Sequence, residues 1–344
     1  MKTTNAEVAM SSIPSTFDEH QINMTVLGGK VNKSPDVLNI SVILLHSSAS
    51  HLQLNVFENL MGCNFRSIIS IEHDSSNYSI EDISKKFPDI KFFIPLEKAS
   101  DGELINLAMS EIDADYVLVL RDSLYIPSGA VLTNLADRLT SSKIYCVVPR
   151  LLDKNKNGLN TLFTPGAEKG HFVIDSSSVV TDGKKTIYPK DYIALYNRKK
   201  FIQLGGFDYT IKSAYWQNLD LAVRSWLWGE ETKLTTMLQF SYVDEPSVDD
   251  RTINQDYLRY YLKNEVPKYK NEAAFIKNSS FIKFLFQSSC GYLEAKRQFK
   301  AAKDWVEKNK YQFKMDLQTF IKDWHEQVPQ QQIQTQSQEE NNEN

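Results

Sequence analysis

Three short apolar runs of this sequence each lead into polar or charged residues that can do chemistry. His46 and Glu72 each follow one such run directly, and Arg121, Asp122 and Ser123 follow a third. Carboxylates bind divalent cations and accept hydrogen bonds, whereas an arginine guanidinium matches the oxygen atoms of a phosphate. These residue types predict a polar site suited to an anionic ligand or a metal ion.

The periodicity of the chain predicts the elements that position these residues. The predicted strands are 23–27, 40–45, 67–71, 91–94, 116–120 and 144–148, and the predicted helices are 49–61, 80–87, 102–112 and 129–139. Short apolar runs that alternate with helices predict an α/β fold, with a doubly wound, mostly parallel sheet and helices on both faces. Ligands bind beyond the carboxyl ends of such strands, so we expect one crevice there.

Composition predicts four regions along the chain. Residues 1–36 are expected to form a flexible arm, 37–245 the main domain, 246–328 a C-terminal helical region and 329–344 a disordered tail rich in Gln, Asn and Glu. The stretch 151–190, in which Gly, Ser, Thr, Lys and Asp prevail, is expected to be a loop or small hairpin over the crevice.

Charge and cysteine content exclude several classes of protein. A net charge of -4 disfavours nucleic acid as a partner. Cys63, Cys146 and Cys290 lack metal-site spacing and predict free thiols in a reducing compartment. The start of the sequence does not resemble a secretory signal, and no run of about 18 apolar residues occurs. We therefore expect a cytoplasmic location. The motifs of P-loop NTPases, serine hydrolases and dinucleotide-dependent oxidoreductases do not occur.

Four stretches between residues 38 and 245 resemble, in order and spacing, the family 2 glycosyltransferases. They are Ser41-Val-Ile-Leu-Leu-His-Ser47, Ile69-Ser-Ile-Glu-His-Asp-Ser-Ser76, the segment 101–123 and the segment 201–224, which contains Leu204-Gly-Gly-Phe-Asp208. The resemblance implies a GT-A fold with a nucleotide-binding half and an acceptor-binding half. It also implies a UDP-, GDP- or dTDP-sugar donor and a glycan, lipid or protein acceptor.

The resemblance assigns residues to both halves. For the nucleotide sugar these are His46, Glu72, Gly102, Asn106, Asp122, Ser123 and Lys263, and for the acceptor side they are Gly206, Asp208, Trp216, Gln217 and Asn218. Several of these residues also have a simpler, purely structural explanation. Glu72 is alternatively a solvated loop carboxylate, and Gly102 follows a helix N-cap at Asp101. His46, His73 and His171 are alternatively packed or exposed residues, and core packing explains Trp226, a tryptophan of the same segment as Trp216, equally well.

The metal-binding Asp-x-Asp of the family is altered in this chain. Arg121 and Ser123 occupy the two acidic positions, and Asp122 between them is offset by one residue, which directs it to the opposite side of the strand. Weak Mg²⁺ or Mn²⁺ binding at Asp122, or none, is therefore expected. Arg121, with Lys263 as a second cation, is a candidate to bind the phosphates directly. The alternative is that Arg121 pairs with Asp122 or with a neighbouring acid at the surface.

The catalytic base of the family is also altered. Gln217 and Asn218 stand where the family has Glu-Asp, and a neutral amide does not accept a proton at physiological pH. Asp220 remains as the candidate base, with stabilisation of the first turn of a helix as its alternative role. Asp208 is more simply a turn residue after two glycines.

Two classes of function therefore remain open. One is an inverting glycosyltransferase with weak or no metal dependence. The retained residues Glu72, Gly102 and Asn106 favour this class. The other is a catalytically degenerate protein that binds a sugar nucleotide and acts as a regulator or scaffold. The C-terminal helices, basic at Lys296-Arg297, Lys300 and Lys303, are a candidate contact with a protein partner or with the inner face of a membrane.

Overall fold

The computed structural model of this chain describes residues 22–29, 37–46, 54–72, 79–126, 129–168 and 171–326. The strands are β1 (Met24–Gly28), β2 (Ile40–Leu45), β3 (Ile68–Ile71), β4 (Ile90–Pro95), β5 (Tyr116–Arg121), β6 (Leu124–Tyr125), β7 (Cys146–Leu152), β8 (Leu162–Glu168), β9 (His171–Ser177), β10 (Ala194–Asn197), β11 (Thr232–Tyr242), β12 (Lys268–Lys270) and β13 (Ala273–Phe275). The helices are α1 (Leu54–Met61), α2 (Ile80–Lys86), α3 (Asp101–Glu111), α4 (Gly129–Ser141), α5 (Arg198–Gln203), α6 (Ala214–Leu227), α7 (Gln255–Asn264), α8 (Ser280–Ser288), α9 (Tyr292–Asn309) and α10 (Leu317–Glu326), and a 3-10 helix spans Lys190–Tyr192.

Nine strands of the described ranges form one central sheet, in the order β1-β4-β3-β2-β5-β10-β7-β11-β6. The neighbours β4, β3, β2 and β5 are parallel, and β11 is parallel to β7. The strand β10 runs antiparallel to both β5 and β7, while β1 and β6 are antiparallel edge strands. Six of the nine strands therefore run in one direction, which confirms the predicted α/β fold with a mostly parallel sheet.

Both faces of this sheet are covered by helices. In β2, Val42 and Leu44 point into a core shared with α1 and α4, whereas Ile43 and Leu45 point into a core shared with α3 and α6. All four side chains are fully buried. Burial on both faces explains why residues 42–45 of this strand are all apolar.

The second half of the chain completes the sheet and adds a hairpin. The stretch 151–190 contains the antiparallel pair β8–β9, in agreement with the predicted small hairpin. The strand predicted at 23–27 is β1, which pairs with β4, so part of the predicted arm belongs to the sheet. The tail 329–344 lies outside the described residues.

The C-terminal helices pack on the main domain through aromatic side chains. The ring of Trp226 in α6 lies 5.0 Å from that of Trp324 in α10, and Trp228 stacks at 6.1 Å on Trp305 in α9. Among the described residues, no helix combines the length and the apolar character that a membrane span requires. Cys63, Cys146 and Cys290 are free thiols.

Candidate functional site

The carboxyl ends of β2, β3 and β5 bring three predicted site residues together. His46 Nδ1 lies 3.1 Å from Asp122 Oδ2, and His46 Nε2 lies 3.3 Å from Glu72 Oε1. Ser70, within β3, links the same groups because its Oγ lies 2.8 Å from His46 Nε2 and donates to Glu72 Oε1 at 2.7 Å. His46, Glu72 and Asp122 are buried, with 6%, 1% and 3% of their surface exposed. We call His46, Ser70, Glu72 and Asp122 the strand-end cluster.

The electrostatics of the strand-end cluster favour a charged imidazole. Burial lowers the pKa of His46, but the hydrogen bond to Asp122 and the charges of Glu72 and Asp122 outweigh burial and raise it overall. A protonated imidazole donates from both nitrogen atoms, which matches the two acidic partners on opposite sides of the ring. The three acidic and imidazole side chains of the cluster lie at the ends of adjacent parallel strands, at one edge of the sheet. His73 lies outside the described residues.

Arg121 and Asp122 engage different partners, as the one-residue offset predicts. Arg121 Nη2 pairs with Asp101 Oδ2 at 2.5 Å, whereas Asp122 bonds to His46. Burial opposes the charge of Arg121, but Asp101 and Asp191 outweigh burial and raise the pKa of Arg121. Arg121 thus pairs with a neighbouring acid, which is the second of the two alternatives that the sequence left open. Ser123 is half-buried, and its carbonyl oxygen accepts a hydrogen bond from the amide of Val243.

Gly102 and Gln217 form a tight junction between the start of α3 and α6. Gln217 is fully buried, and its Oε1 accepts from the amide of Gly102 at 3.1 Å and from the hydroxyl of Tyr192 at 3.2 Å. Its Nε2 donates to Ser100 Oγ at 2.9 Å and to the carbonyl of Asp208 at 3.0 Å. The side-chain amide therefore has four partners and joins α6 to the start of α3.

Two further predicted residues make similar structural contacts. Asn106, in α3, donates to the carbonyl of Phe207 at 2.8 Å and accepts from its amide at 2.9 Å. Asn218 donates to the carbonyl of Pro189 at 2.6 Å. Both side chains are buried, so these contacts hold the Gly-Gly-Phe-Asp segment and the loop before β10 in place.

Asp208, Asp220 and Lys263 belong to a second cluster, apart from the strand-end cluster. Lys263 Nζ lies 2.8 Å from Asp208 Oδ2 and 3.4 Å from Asp220 Oδ2. Asp220 is fully buried and also binds Arg224 at 3.0 Å and Asn264 at 2.7 Å. Burial raises the pKa of Asp208, but Lys263 outweighs burial and holds that pKa well below its usual range. Lys263 and Arg121 therefore have separate carboxylate partners.

A cavity of about 420 Å³ opens beside this second cluster, between α7 and α9. Its lining includes Asp208, Arg259, Lys263, Arg297, Trp305 and Lys308. Lys263 Nζ lies 4.4 Å from the centre of the Trp305 ring. Donors and acceptors of both signs of charge thus face this cavity.

Of the remaining acceptor-side residues, Trp216 lies in α6 and Gly206 contacts that helix. Trp216 is buried against Tyr257 and Tyr260 of α7, and its indole donates to the carbonyl of Thr252 at 2.9 Å. The carbonyl of Gly206, whose φ is +66°, accepts from Arg224 at 2.7 Å. His171 is exposed at the start of β9.

The sequence did not single out three residues of this region. Ser70 is the polar residue of the apolar strand β3, and that contrast was a usable signal. Asp101 was predicted only as a helix N-cap, whereas the N-cap is Ser100 and Asp101 is the first residue of α3. Asp191 raises the pKa of Arg121, accepts from Tyr242 at 2.5 Å and from Ser247 at 3.1 Å, and has a φ of +51°. Nothing local in the sequence indicates that strained conformation.

A divalent cation finds few ligands at the end of β5. Arg121 and Ser123 stand in the acidic positions, and the imidazole of His46 lies between the carboxylates of Glu72 and Asp122. Within the described ranges, no group of three or more His, Cys, Asp or Glu side chains is arranged to hold a metal ion. Metal binding at Asp122 remains a prediction.

Comparison with known proteins identifies the fold. No protein-family model matches the chain, and no curated protein matches its sequence. A crystal structure of GalNAc-T7 with UDP, GalNAc and Mn²⁺ superposes with a TM-score of 0.55 at 11% identity, covering 86% of this chain and 59% of the other. The chain thus spans about three fifths of that relative.

S. aureus TarS and the mannosyltransferase PcManGT from Pyrobaculum calidifontis, the latter with GDP-Man and Mn²⁺, match with TM-scores of 0.46 and 0.42. TarS is 12% identical, with 81% of this chain and 44% of TarS covered, and PcManGT is 10% identical, with 85% and 79% covered. This chain has a glycosyltransferase fold of the GT-A type.

Proposed function

We propose that this chain binds a nucleotide sugar at the ends of β2, β3 and β5, on the outer side of the strand-end cluster. The observation that carries the proposal is the joint burial of His46, Glu72 and Asp122 at this edge of the sheet. These residues come from three strands, and sheets of this kind bind their ligands at that edge. Buried charges are costly to maintain, so packing alone is a poor reason for their presence.

In the proposed function, the chain binds a nucleotide sugar without transferring the sugar, and it acts as a regulator or scaffold. Three observations support it. Arg121 is neutralised by Asp101, all polar atoms of the Gln217 amide are bonded, and Asp220 is saturated by Arg224, Lys263 and Asn264. A base must be within reach of the acceptor hydroxyl and able to take its proton. A buried carboxylate held by two cations is poorly suited to that role.

A glycosyltransferase that needs no metal is the second candidate, and one observation favours it. Asp191 lies close enough to Arg121 to help raise the pKa of the guanidinium, and the φ of Asp191, +51°, is a strained conformation. Strained residues concentrate at functional sites. In this second candidate, the oxygen of a glycan, lipid or protein hydroxyl bonds to the anomeric carbon of the sugar as the bond from that carbon to the nucleotide diphosphate breaks. Asp191 takes the proton of the hydroxyl, and Arg121 stabilises the departing diphosphate.

The proposal is tested by calorimetric titration of the chain with UDP-, GDP- and dTDP-sugars, with Mn²⁺ or with a chelator. We expect one of the three nucleotide sugars to bind both with Mn²⁺ and with the chelator. The variant Glu72→Gln should bind that nucleotide sugar about tenfold more weakly, since a hydrogen bond to a charged group is lost. The control is Glu58→Gln, on the exposed surface of α1. Failure of all three donors to bind would contradict the proposal, as would binding that requires Mn²⁺.

Release of free nucleotide separates the two candidates. Binding without transfer predicts that the bound donor stays intact with every acceptor offered. The second candidate predicts nucleotide release that is lost in Asp191→Asn while binding of the donor persists.

A further inference from the structure

Exposed apolar side chains concentrate at one corner of the molecule, where α8 ends and α9 begins. Phe286 and Leu293 are each 81% exposed, and Ile282 and Tyr292 are more than half exposed. These four residues lie within 12 positions of one another in the sequence. Single exposed apolar residues are ordinary on a protein surface, but a contiguous group marks a contact site.

The helix α8 is apolar on two sides. Phe284 and Ser288 face the core, as expected of a helix packed on a domain. Ile282 and Phe286, four residues apart, form a second apolar stripe that faces outward. A surface helix normally presents polar residues there. Packing within the chain therefore does not explain this second stripe.

The same corner carries a strong positive charge. Residues 277–300 contain five basic residues and one acidic residue, Glu294, so their net charge is +4, whereas the whole chain has a net charge of -4. On α9, Lys296, Arg297 and Lys300 are exposed and follow Leu293 at helical spacing. Glu294 pairs with Arg297 at 2.8 Å, which leaves the lysines as the dominant charges.

We propose that this corner, defined by Ile282, Phe286, Tyr292, Leu293 and the adjoining basic residues, docks on an anionic lipid bilayer. Aromatic and aliphatic side chains enter the boundary between headgroups and acyl chains, while lysines remain at the anionic headgroups. Charge complementarity favours this occupant, since a negative surface attracts the local charge of +4. A second copy of the chain would instead bring like charges together. The proposal does not depend on nucleotide-sugar binding.

Flotation of the full chain with vesicles tests this proposal. The vesicles consist of phosphatidylcholine alone or of phosphatidylcholine with phosphatidylglycerol. We expect the chain to float with the anionic vesicles only, and added salt to weaken the binding because it screens the lysines. The double variants Phe286→Ser/Leu293→Ser and Lys296→Glu/Lys300→Glu should each reduce binding about tenfold or more.

Matched variants elsewhere on the surface provide the controls. Val179→Ser/Val248→Ser removes two exposed apolar side chains, and Lys98→Glu/Lys199→Glu reverses two exposed charges away from the corner. Both controls should bind vesicles as the unmodified chain does. The proposal is overturned if the chain does not float with anionic vesicles, or if the corner variants bind as well as the controls. A concentration-dependent dimer that Phe286→Ser/Leu293→Ser abolishes would also overturn it, because the corner would then join two copies of the chain.

Discussion

His46 Nδ1 lies 3.1 Å from Asp122 Oδ2, and this contact joins the end of β2 to the residue that follows β5. The backbone reinforces it, since the amide of Asp122 donates to the carbonyl of Leu45 at 3.0 Å. The contact fixes which way each residue of the altered acidic motif points. Asp122 turns into the strand-end cluster, and Arg121 turns towards α3.

The charge of His46 makes the stability of the protein depend on pH. Because the pKa of His46 is raised in the folded protein, its protonated form stabilises the fold. This stabilisation is complete below the pKa of a histidine in the unfolded chain, about 6.5. It is lost as the pH rises from there through the folded pKa. We expect urea denaturation to show a free energy of unfolding that falls over this range, and His46→Gln to abolish that decrease. The control His171→Gln, on an exposed residue, should retain it. An unchanged pH profile in His46→Gln would contradict the assignment.

Replacement of Gly102 by alanine is predicted to destabilise the protein, although Gly102 lies in a helix. An alanine is normally favoured over glycine in a helix by about 1 kcal/mol. Here an added Cβ would lie 2.3 Å from Gln217 Oε1 and 2.8 Å from the Cβ of Phe207. We expect Gly102→Ala to destabilise the protein by about 1–3 kcal/mol, measured by thermal or urea unfolding. At Gly62 an added Cβ would make only ordinary contacts at 3.5 Å, so Gly62→Ala serves as the control. Equal stability of both variants would refute the tight junction.

The parallel strands were predictable because burial on both faces leaves nearly continuous apolar runs, as in β2 and β5. The strands β10 and β11 were not predicted from the sequence. Four residues of β10 are too few to show a period, and β11 contains an irregularity between Thr235 and Gln239 that interrupts its register with β7. Their places in the sheet depend on contacts distant in the sequence.

The same distinction applies to the candidate site. That His46, Glu72 and Asp122 lie together follows from the rule that parallel strands end at one edge of the sheet. The pairing of Arg121 with Asp101 depends on where α3 begins relative to β5, which no local pattern encodes. The four hydrogen bonds of Gln217 likewise involve Ser100, Gly102, Tyr192 and Asp208, which only the tertiary fold brings together.

Restoring an acid at position 217 is expected to damage the fold rather than to create a catalyst. Gln217→Glu replaces a donor to Ser100 and to the carbonyl of Asp208 with an acceptor, in a fully buried place. We expect a loss of about 1–3 kcal/mol in the free energy of unfolding and no gain in nucleotide release from a donor sugar. The control is Gln255→Glu, because Gln255 is exposed and its Oε1 acts as an acceptor. Faster nucleotide release in Gln217→Glu would favour a transferase.

The carboxylate of Asp220 is expected to be structural. Asp220→Asn keeps the shape of the side chain but removes the negative charge that Arg224 and Lys263 share. Removing one partner from a buried ion pair costs about 3–5 kcal/mol, because the remaining charges stay buried. We expect a loss in that range by urea unfolding, and no comparable loss for the exposed control Asp137→Asn.

A second substitution separates this structural role from catalysis. Adding Lys263→Met to Asp220→Asn removes one of the two cations that lost their partner. The double variant should therefore lose less free energy of unfolding, by about 1 kcal/mol or more, than the sum of the losses in the two single variants. A catalytic base would behave differently: Asp220→Asn would leave stability nearly unchanged, and the second substitution would recover nothing. Because Lys263 also binds Asp208, recovery is expected to be incomplete. The sign of the coupling energy between positions 220 and 263 therefore decides between the two roles.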